Sequence, residues 1–374
     1  MTAFDDLAEV PKDLKNRYVR QWKEEGKKVM GYTCTYMPEE IFYAADILPY
    51  RITGMGASDT SRADAYLSRV NCSYTRCGLE LGMRGEYDFL DGVVFINGCD
   101  HLNRFYDNWA AQKNAPRLMH MLPVPHVLDP DGRQLYKEEV NQVKVAIEEK
   151  LGCSVSSEKL DEARTEYNKA RKLLKQLYKL RVSDEQPFSA AGIHSILAAR
   201  VTMPIEEFNR LLSKLLDEEQ QKIPTTGKVR LLVAGSMLDD TEFLENIENM
   251  GAVIVADSLC FGARSFWDLT DEDGDPFEAI IDRYYNHTPC PRMAGQYERR
   301  LAFIMEQAQR TRIDGVILEH IKFCDLHATD NALLKTDLEK EGFPVLELER
   351  QYGPLADAGR VKTRIQAFVE KVQK

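Results

Sequence analysis

Residues 91–99 read DGVVFINGC, a short β-branched and apolar run that ends in a glycine and a cysteine. A cysteine also follows a short apolar run at 27–34, KKVMGYTC, and at 314–324, DGVILEHIKFC. Short apolar runs of this kind are typical of strands buried in a parallel sheet. Because the carboxyl ends of such strands converge on one crevice, we predict that the cysteines ending the three runs meet there. They are Cys34, Cys99 and Cys324.

Around these runs, short apolar segments alternate with amphipathic ones. The predicted strands are 29–33, 93–96, 117–122, 229–235, 252–257, 315–320 and 345–349. The predicted helices are 4–25, 78–84, 100–112, 241–250, 296–310, 330–341 and 356–372, with another that has Pro38 at its first position. This alternation predicts an α/β fold class with two doubly wound parallel-sheet (Rossmann-like) domains and additional helical segments.

Residues from about 134 to 222 differ, because they are rich in charge and predict long helices and no strand. The clearest is SSEKLDEARTEYNKARKLLKQLYKL, with Ser157 as its predicted N-cap. A chain of 374 residues is long for one core, so we predict two domains. Residues 1–185 hold the N-terminal helix, the first doubly wound unit and the helical connector, and residues 186–374 hold the second unit.

Composition excludes several classes of partner. The net charge is −11, from 60 acidic and 49 basic residues, and there is no block of Lys and Arg, so we expect no nucleic acid. No apolar stretch is long enough to span a bilayer and no secretory leader opens the chain, so we expect no membrane association and a cytoplasmic location. The eight cysteines are too sparse for a disulfide scaffold and predict free thiols or metal ligands.

A buried cysteine is most often a small hydrophobic residue of the core. Three cysteines placed directly after strands are better explained as ligands, because side chains there face the crevice. Thiolate is a soft ligand that suits iron–sulfur clusters. The chain lacks paired CxxC motifs, so any cluster must be assembled by the fold.

Three motifs carry a resemblance to a known family. Residues 31–40, GYTCTYMPEE, with AADILPYR at 44–51, resemble the first cysteine motif of the benzoyl-CoA reductase and 2-hydroxyacyl-CoA dehydratase superfamily. FLDGVVFINGCDH at 89–101 and DGVILEHIKFCDLH at 314–327 resemble its second and third motifs. The order and separation of the motifs fit as well, so the resemblance covers essentially the whole chain.

The resemblance implies a catalytic subunit in which Cys34, Cys99 and Cys324 hold a 4Fe-4S cluster with one iron open. It implies an acyl-CoA substrate, a separate iron–sulfur ATPase activator that delivers low-potential electrons, and an identical or homologous partner subunit in a dimer or heteromer. The chain itself has no phosphate-binding GxxxxGK[ST] loop. The motif NGCDHLNRFYDNW favours an ATP-dependent, radical-type acyl-CoA reductase similar to benzoyl-CoA reductase.

Other functions stay open. Within the superfamily they are a 2-hydroxyacyl-CoA dehydratase subunit and a reductase of small molecules with a double-cubane 8Fe-9S cluster. The spare thiols for the larger cluster are Cys72, Cys77, Cys260 and Cys290. Two functions without catalysis also stay open. One is an electron-transfer subunit without substrate access, and the other is a metal-free α/β binding protein with core cysteines. We expect Cys153 to be structural.

Acid–base chemistry is predicted for Asp100 and His101, which directly follow a proposed ligand. The position of Asp100 is equally that of a helix cap. Further candidates have structural alternatives of the same kind: Glu39 and Glu40 at a helix start, His320 and His327 beside Cys324, and, for coenzyme A phosphates, Arg51, Arg62, Arg69 and Arg264.

Overall fold

The structure is a computed structural model that describes residues 2–218, 221–353 and 358–373. Its strands are β1 Lys28–Tyr32, β2 Ile47–Arg51, β3 Gly92–Ile96, β4 Leu118–Leu122, β5 Glu185–Gln186, β6 Ile223–Pro224, β7 Val229–Gly235, β8 Ala252–Ser258, β9 Gly315–Ile321 and β10 Val345–Arg350. Its α-helices are α1 Ala3–Glu9, α2 Arg17–Glu24, α3 Glu39–Ala44, α4 Ser73–Arg84, α5 Asp100–Ala110, α6 Pro130–Leu151, α7 Ser157–Leu180, α8 Ala190–Arg200, α9 Ile205–Asp217, α10 Thr241–Glu248, α11 Ala263–Phe266, α12 Pro276–Asn286, α13 Tyr297–Thr311, α14 Asp325–Lys340 and α15 Ala358–Val372.

Two four-stranded sheets, parallel throughout, confirm the predicted fold class. The first has the order β2-β1-β3-β4 and the second the order β10-β9-β7-β8. In each sheet the strand order reverses beside the first strand in sequence, β1 or β7, and doubly wound folds place their ligands at such a reversal. β5 and β6 form a small antiparallel pair inside and just after the region predicted to be purely helical.

The strand β2 was not predicted from the sequence. Pro49 lies at its centre, and proline removes the backbone donor that a central strand needs. The structure places β2 at the edge of the first sheet, where it pairs with β1 and leaves its other side free of the ladder. An edge position tolerates proline, so the motif AADILPYR combines a helix end with a parallel edge strand.

The single helix predicted over 4–25 is wrong. α1 ends at Glu9, a 3₁₀ turn covers Val10–Lys12, and α2 begins only at Arg17. Pro11 lies in the 3₁₀ turn and cannot donate a helical hydrogen bond. Asn16 then starts a new helix, because its side-chain oxygen accepts from the backbone N–H groups of Tyr18 and Val19.

Other boundaries differ by a few residues. Ser156, not Ser157, caps α7 with its hydroxyl, and Pro38 is the N-cap of α3 and not its first residue. The helices α4 and α14 begin five residues before their predicted starts, directly after a cysteine. α11 and α12 were not predicted, and positions 356 and 357 of the last predicted helix lie outside the described residues.

The apolar cores cross the proposed boundary between residues 185 and 186. α12, from the second half, packs on α6 and stacks Tyr285 on Tyr136 with ring centroids 5.7 Å apart. At the other end, α1 packs on α8 and α9, with Phe4 stacked on Phe188. The domain division stays a prediction, but the two sheet units share packed side chains.

Gly82 makes the contact between α4 and α5 possible. A Cβ atom at this position would lie 2.6 Å from Cε2 of Trp109, a ring that is 1% exposed. We therefore expect Gly82→Ala to destabilise the protein by about 1–3 kcal/mol, although alanine favours helix more than glycine does. Urea unfolding measures the change. Gly359→Ala in α15 is the control, because nothing lies near its Cβ, and a loss there of the same size would contradict the packing explanation.

None of the helices in the described ranges is long and apolar enough to cross a membrane. The two longest are α6 with 22 residues and α7 with 24, and both carry charged residues along their length.

Candidate functional site

The three predicted cysteines lie where the sequence placed them relative to the strands. Cys34 follows β1, Cys99 follows β3 and Cys324 follows β9. All eight cysteines are free thiols. The structure adds Cys260, which follows β8 and is a second cysteine at the strand ends of the second sheet.

Three cysteines occupy the N-cap positions of helices and form what we call the cap triad. Its members are Cys72 before α4, Cys99 before α5 and Cys324 before α14. The backbone amides that follow each cysteine, such as those of Tyr74, Thr75 and His327, act to lower the pKa of the thiol. The positive end of a helix dipole favours a thiolate in the same way.

The cap triad thiols are close enough to influence one another. Burial raises the pKa of Cys72 to about 12, and Cys99 adds to the rise. Burial also raises the pKa of Cys324, with further contributions from Cys72, Cys99 and Cys290. Mutual repulsion of this kind requires the sulfurs to lie near each other. Cys99 and Cys324 therefore lie within electrostatic range of each other and of Cys72, and their shared role as cluster ligands stays a prediction.

A second group, which we call the loop triad, consists of Cys34, Cys260 and Cys290. Burial raises the pKa of Cys34 to about 11, and Cys290 and Cys260 contribute to the rise. Cys290 also contributes to the raised pKa of Cys99 and of Cys324, so it lies towards the cap triad. Cys290 is therefore the member of the loop triad that is electrostatically linked to the cap triad.

The described residues contain no group of three or more His, Cys, Asp or Glu side chains that could hold a single metal ion. A mononuclear site needs all its ligands within bonding distance of one atom. This finding excludes a preformed single-ion site in the described part of the chain. It leaves a cluster site open, because the thiols of a cluster bind different irons and are spaced more widely than the ligands of one ion.

Three buried arginines surround the thiols without a carboxylate partner among the described residues. Arg51, Arg264 and Arg292 are 2%, 4% and 4% exposed. Arg51 donates to the carbonyl oxygen of Cys260 at 3.0 Å and approaches its Sγ at 3.5 Å. The Nε atoms of all three have no hydrogen-bond partner in the described structure.

Arg264 and Arg292 also donate to carbonyl oxygens. Arg264 donates to Gly235, and Arg292 donates to Val124 and Pro125. A buried cation is costly unless an anion compensates it. Both arginines act to lower the pKa of Cys290, which identifies the thiols as nearby groups that can supply negative charge. The donor set fits an anionic thiolate cluster such as an iron–sulfur centre.

His101 lies against the cap triad. The backbone N–H of Cys72 donates to its Nδ1 at 3.2 Å, and burial lowers the pKa of the imidazole. The neutral ring therefore carries its proton on Nε2. Asp100 is the exposed first residue of α5, and Cys99 holds the cap position, so the capping explanation for Asp100 is wrong. A catalytic role for Asp100 and His101 stays a prediction.

Glu39 and Glu40 anchor α3 and do not face solvent at its start. Arg200 of α8 makes two hydrogen bonds of 3.1 Å to Glu39, and Arg171 of α7 donates to Glu40 at 2.6 Å. Both carboxylates are buried, at 5% and 0% exposed. They hold the segment after Cys34 against the helical region.

The structure also places the arginines predicted for coenzyme A and the pair Cys72 and Cys77. Arg51 and Arg264 are buried beside the thiols, whereas Arg62 and Arg69 are exposed, and a role of any of them in binding coenzyme A phosphates stays a prediction. Cys77 lies inside α4 with its thiol 3.9 Å from the carbonyl oxygen of Tyr352, and Cys72 contributes to its raised pKa, so its role as a spare ligand also stays a prediction.

Cys260, predicted as a spare thiol, also fits the rule that selected the first three cysteines. It comes two residues after the strand β8, as Cys34 comes two residues after β1. Cys290 lies in the loop after α12, a helix that was not predicted, and no local pattern marks it.

Comparison with known proteins gives a family match and relatives of similar length. The family model of the 2-hydroxyglutaryl-CoA dehydratase D-component matches residues 34–372. The chain is 25% identical to the (R)-phenyllactyl-CoA dehydratase beta subunit of Clostridium sporogenes over 98% of both chains. It is 27% identical to the lactoyl-CoA dehydratase subunit beta of Anaerotignum propionicum over 99% of this chain and 98% of that one.

A third relative is a subunit of the benzoyl-CoA reductase of Thauera aromatica, 25% identical over 90% of this chain and 89% of that one. Dehydratase and reductase subunits are thus matched along most of their length. The resemblance predicted from the three cysteine motifs is confirmed, and with it the prediction of an enzyme of the oxidoreductase or lyase kind. This chain belongs to the 2-hydroxyglutaryl-CoA dehydratase D-component family.

Proposed function

We propose that this protein is the iron–sulfur subunit of an ATP-dependent, radical-type acyl-CoA reductase similar to benzoyl-CoA reductase. The observation that carries the proposal is the placement of cysteines at strand ends and helix N-termini, together with three buried arginines that lack a carboxylate partner in the described structure, one of which contacts Cys260. A cluster bound there supplies one-electron chemistry at low potential. The partners proposed with it are an acyl-CoA substrate, an iron–sulfur ATPase activator and an identical or homologous subunit, all in the cytoplasm.

The residues of the site have distinct roles in this proposal. The cap triad uses three helix N-termini to hold thiolates, while the loop triad uses the guanidinium groups of Arg51, Arg264 and Arg292. Both devices stabilise negative charge without water. His101 keeps its Nε2 proton beside the cap triad, where it is available for transfer to a bound substrate.

The arrangement of the thiols bears on the kind of cluster. A single 4Fe-4S cluster on Cys34, Cys99 and Cys324 would leave Cys72, Cys260 and Cys290 in the same site without a role. Two triads joined through Cys290 match the ligand demand of a double-cubane 8Fe-9S cluster, with one triad for each cubane. We therefore favour the larger cluster over the single cubane, and this keeps the double-cubane reductase of small molecules as an alternative function.

A 2-hydroxyacyl-CoA dehydratase is the second candidate function. It is supported by the near full-length match to two dehydratase beta subunits. The same thiol site and the same electron donor would serve it, so the choice between the two activities depends on the substrate.

Anaerobic purification followed by iron and sulfide analysis tests the proposed function. We expect iron and sulfide in the amounts of the proposed 8Fe-9S cluster. We also expect an electron paramagnetic resonance signal after reduction by an activating ATPase with ATP. Assays with benzoyl-CoA and with lactoyl-CoA then distinguish reduction from dehydration. Protein that folds, binds no iron after reconstitution and is not reduced would contradict the proposal.

A further inference from the structure

Cys72 is the member of the cap triad that does not follow a strand. Cys99 follows β3 and Cys324 follows β9, whereas the segment before Cys72 is a loop in which Val70 is 60% exposed. The backbone N–H of Cys72 donates to Nδ1 of His101 in α5, which fixes one side of the residue. An exposed loop defines position poorly, so further contacts are needed to hold Cys72 near Cys324.

Tyr352 supplies such contacts from the second sheet. It comes two residues after the end of β10, and β10 pairs with β9 so that Arg350 lies opposite Ile321. The backbone N–H of Lys322 donates to the carbonyl oxygen of Arg350 at 2.8 Å, so the pairing continues beyond β9 towards Cys324. Tyr352 is therefore carried by the same pair of strands as Cys324.

Tyr352 holds the first turn of α4 in two ways. Its backbone N–H donates to Oγ of Ser73 at 2.8 Å, and its ring packs edge-on against Tyr74 with the ring centroids 5.6 Å apart. Ser73 directly follows Cys72, and the backbone amide of Tyr74 acts to lower the pKa of the Cys72 thiol. Both contacts therefore act on residues that position the sulfur of Cys72.

The hydroxyl of Tyr352 fixes the ring itself. It donates to Oδ2 of Asp239 at 2.9 Å and accepts from the backbone N–H of Gly54 at 3.0 Å. The side chain is fully buried, and a Cβ atom at Gly54 would lie 2.7 Å from Cε1 of the ring, so the ring has little room to move. The hydroxyl thus joins the loop after β2 to the segment after β7.

We propose that Tyr352 is a positioning residue, which fixes Cys72 at the distance from Cys324 that a shared cluster requires. The proposal rests on the proposed function, because it takes both cysteines to be cluster ligands. Tyr352 binds no iron in it and acts through Ser73 and Tyr74. All of its contacts are between protein atoms, so their effect can be measured in the metal-free chain as well as in the iron-loaded one.

Thiol labelling of the full-length, metal-free protein tests the positioning role. Iodoacetamide is added under anaerobic conditions, and mass spectrometry gives the labelling rates of Cys72 and Cys99 in the same sample. In Tyr352→Phe the hydrogen bonds of the hydroxyl are lost. We expect labelling of Cys72 to become at least about fivefold faster, while the rate for Cys99 changes by less than about twofold. Equal acceleration of both thiols, or no acceleration of Cys72, would overturn the proposal.

Tyr297→Phe is the matched control for the loss of a tyrosine hydroxyl. The Tyr297 hydroxyl donates to Oδ2 of Asp337 at 2.7 Å, near the end of α14 that is remote from Cys324. This variant should change the labelling rate of Cys72 by less than about twofold. An acceleration as large as that in Tyr352→Phe would mean that the effect is not specific to Tyr352 and would contradict the proposal.

A second variant approaches the contact from α4 and covers the case in which Tyr352→Phe does not fold. Ser73→Ala removes the acceptor of the Tyr352 backbone N–H and leaves the hydrogen bonds of the Tyr352 hydroxyl in place. It should also accelerate labelling of Cys72 relative to Cys99. Unchanged labelling in folded Ser73→Ala, established by circular dichroism, would show that this contact does not hold Cys72.

Iron release distinguishes this proposal from the proposed function. The iron-loaded protein is mixed anaerobically with bathophenanthroline disulfonate, and we expect both Cys72→Ala and Tyr352→Phe to release iron at least about threefold faster than the unchanged protein. Faster release in Cys72→Ala alone overturns the role of Tyr352. Unchanged release in Cys72→Ala, with labelling still accelerated in Tyr352→Phe, overturns the ligand assignment of Cys72, whereas the contact between Tyr352 and α4 stands.

Discussion

Replacing Cys260 by alanine is expected to remove about half or more of the bound iron, as is replacing Cys99. The two residues belong to different triads, and each triad is proposed to hold one cubane of a joined cluster. A site made only of Cys34, Cys99 and Cys324 predicts a different result, because Cys260→Ala would then leave the iron content unchanged. Iron and sulfide analysis of anaerobically reconstituted protein measures the outcome.

Cys153→Ala is the matched control. Cys153 lies after α6 with its thiol against the carbonyl oxygen of Ile147. This variant should keep full iron content. Circular dichroism establishes that each variant is folded. If Cys260→Ala retains all its iron, the double-cubane proposal is wrong and the single cubane stands; if Cys99→Ala does so as well, the thiol site is not the cluster site.

The second large effect is expected for the ion pair of Glu40 and Arg171. The side chain of Arg171 is 4% exposed and that of Glu40 0%, and Tyr284 donates a further hydrogen bond to the carboxylate. Removing one partner leaves a buried charge without compensation. We expect Arg171→Met to lower the free energy of unfolding by about 3–5 kcal/mol. Denaturant unfolding under anaerobic conditions gives the value.

The exposed pair of Lys159 and Glu162 provides the control, because its side chains are 56% and 55% exposed. Glu162→Gln should change stability by less than about 1 kcal/mol. The double variant Arg171→Met with Glu40→Leu should recover much of the loss, since an apolar pair leaves no buried charge. A double variant less stable than Arg171→Met alone would show that the loss has another origin.

The ion pair of Glu40 and Arg171 also makes the stability of the protein depend on pH. Burial alone would raise the pKa of Glu40, but Arg171, Arg283 and Tyr284 outweigh it and lower the pKa below its ordinary value of 4.5. The stabilisation is therefore complete above the ordinary pKa and is lost as pH falls through the lower, folded value.

Local pattern in the sequence predicted the central strands of the fold. The apolar runs after Gly92 and Gly315 became central strands because both faces of a parallel strand are buried. The strand β2 was missed because the proline rule holds only for central strands, and edge position is a property of the whole sheet. Pro11 marks the helix break in the sequence, but the amphipathic periodicity on both sides of it indicated one continuous helix.

Only part of the candidate site was predicted, because some of its residues are placed by packing between distant segments. Cys34, Cys99 and Cys324 follow strands, and strand ends can be read from one sequence. Cys290 and Arg292 follow a helix and come to the site only through the packing of α12 against the first sheet unit. The burial of Arg51 and Arg264 also depends on contacts between distant segments, which no local window contains.

The two triads draw their members from both halves of the chain. Cys34, Cys72 and Cys99 are made early in synthesis, and Cys260, Cys290 and Cys324 late, yet each triad mixes the two sets. Neither half of the polypeptide can complete a triad alone. Assembly of the proposed cluster would therefore have to wait until the last third of the protein has left the ribosome.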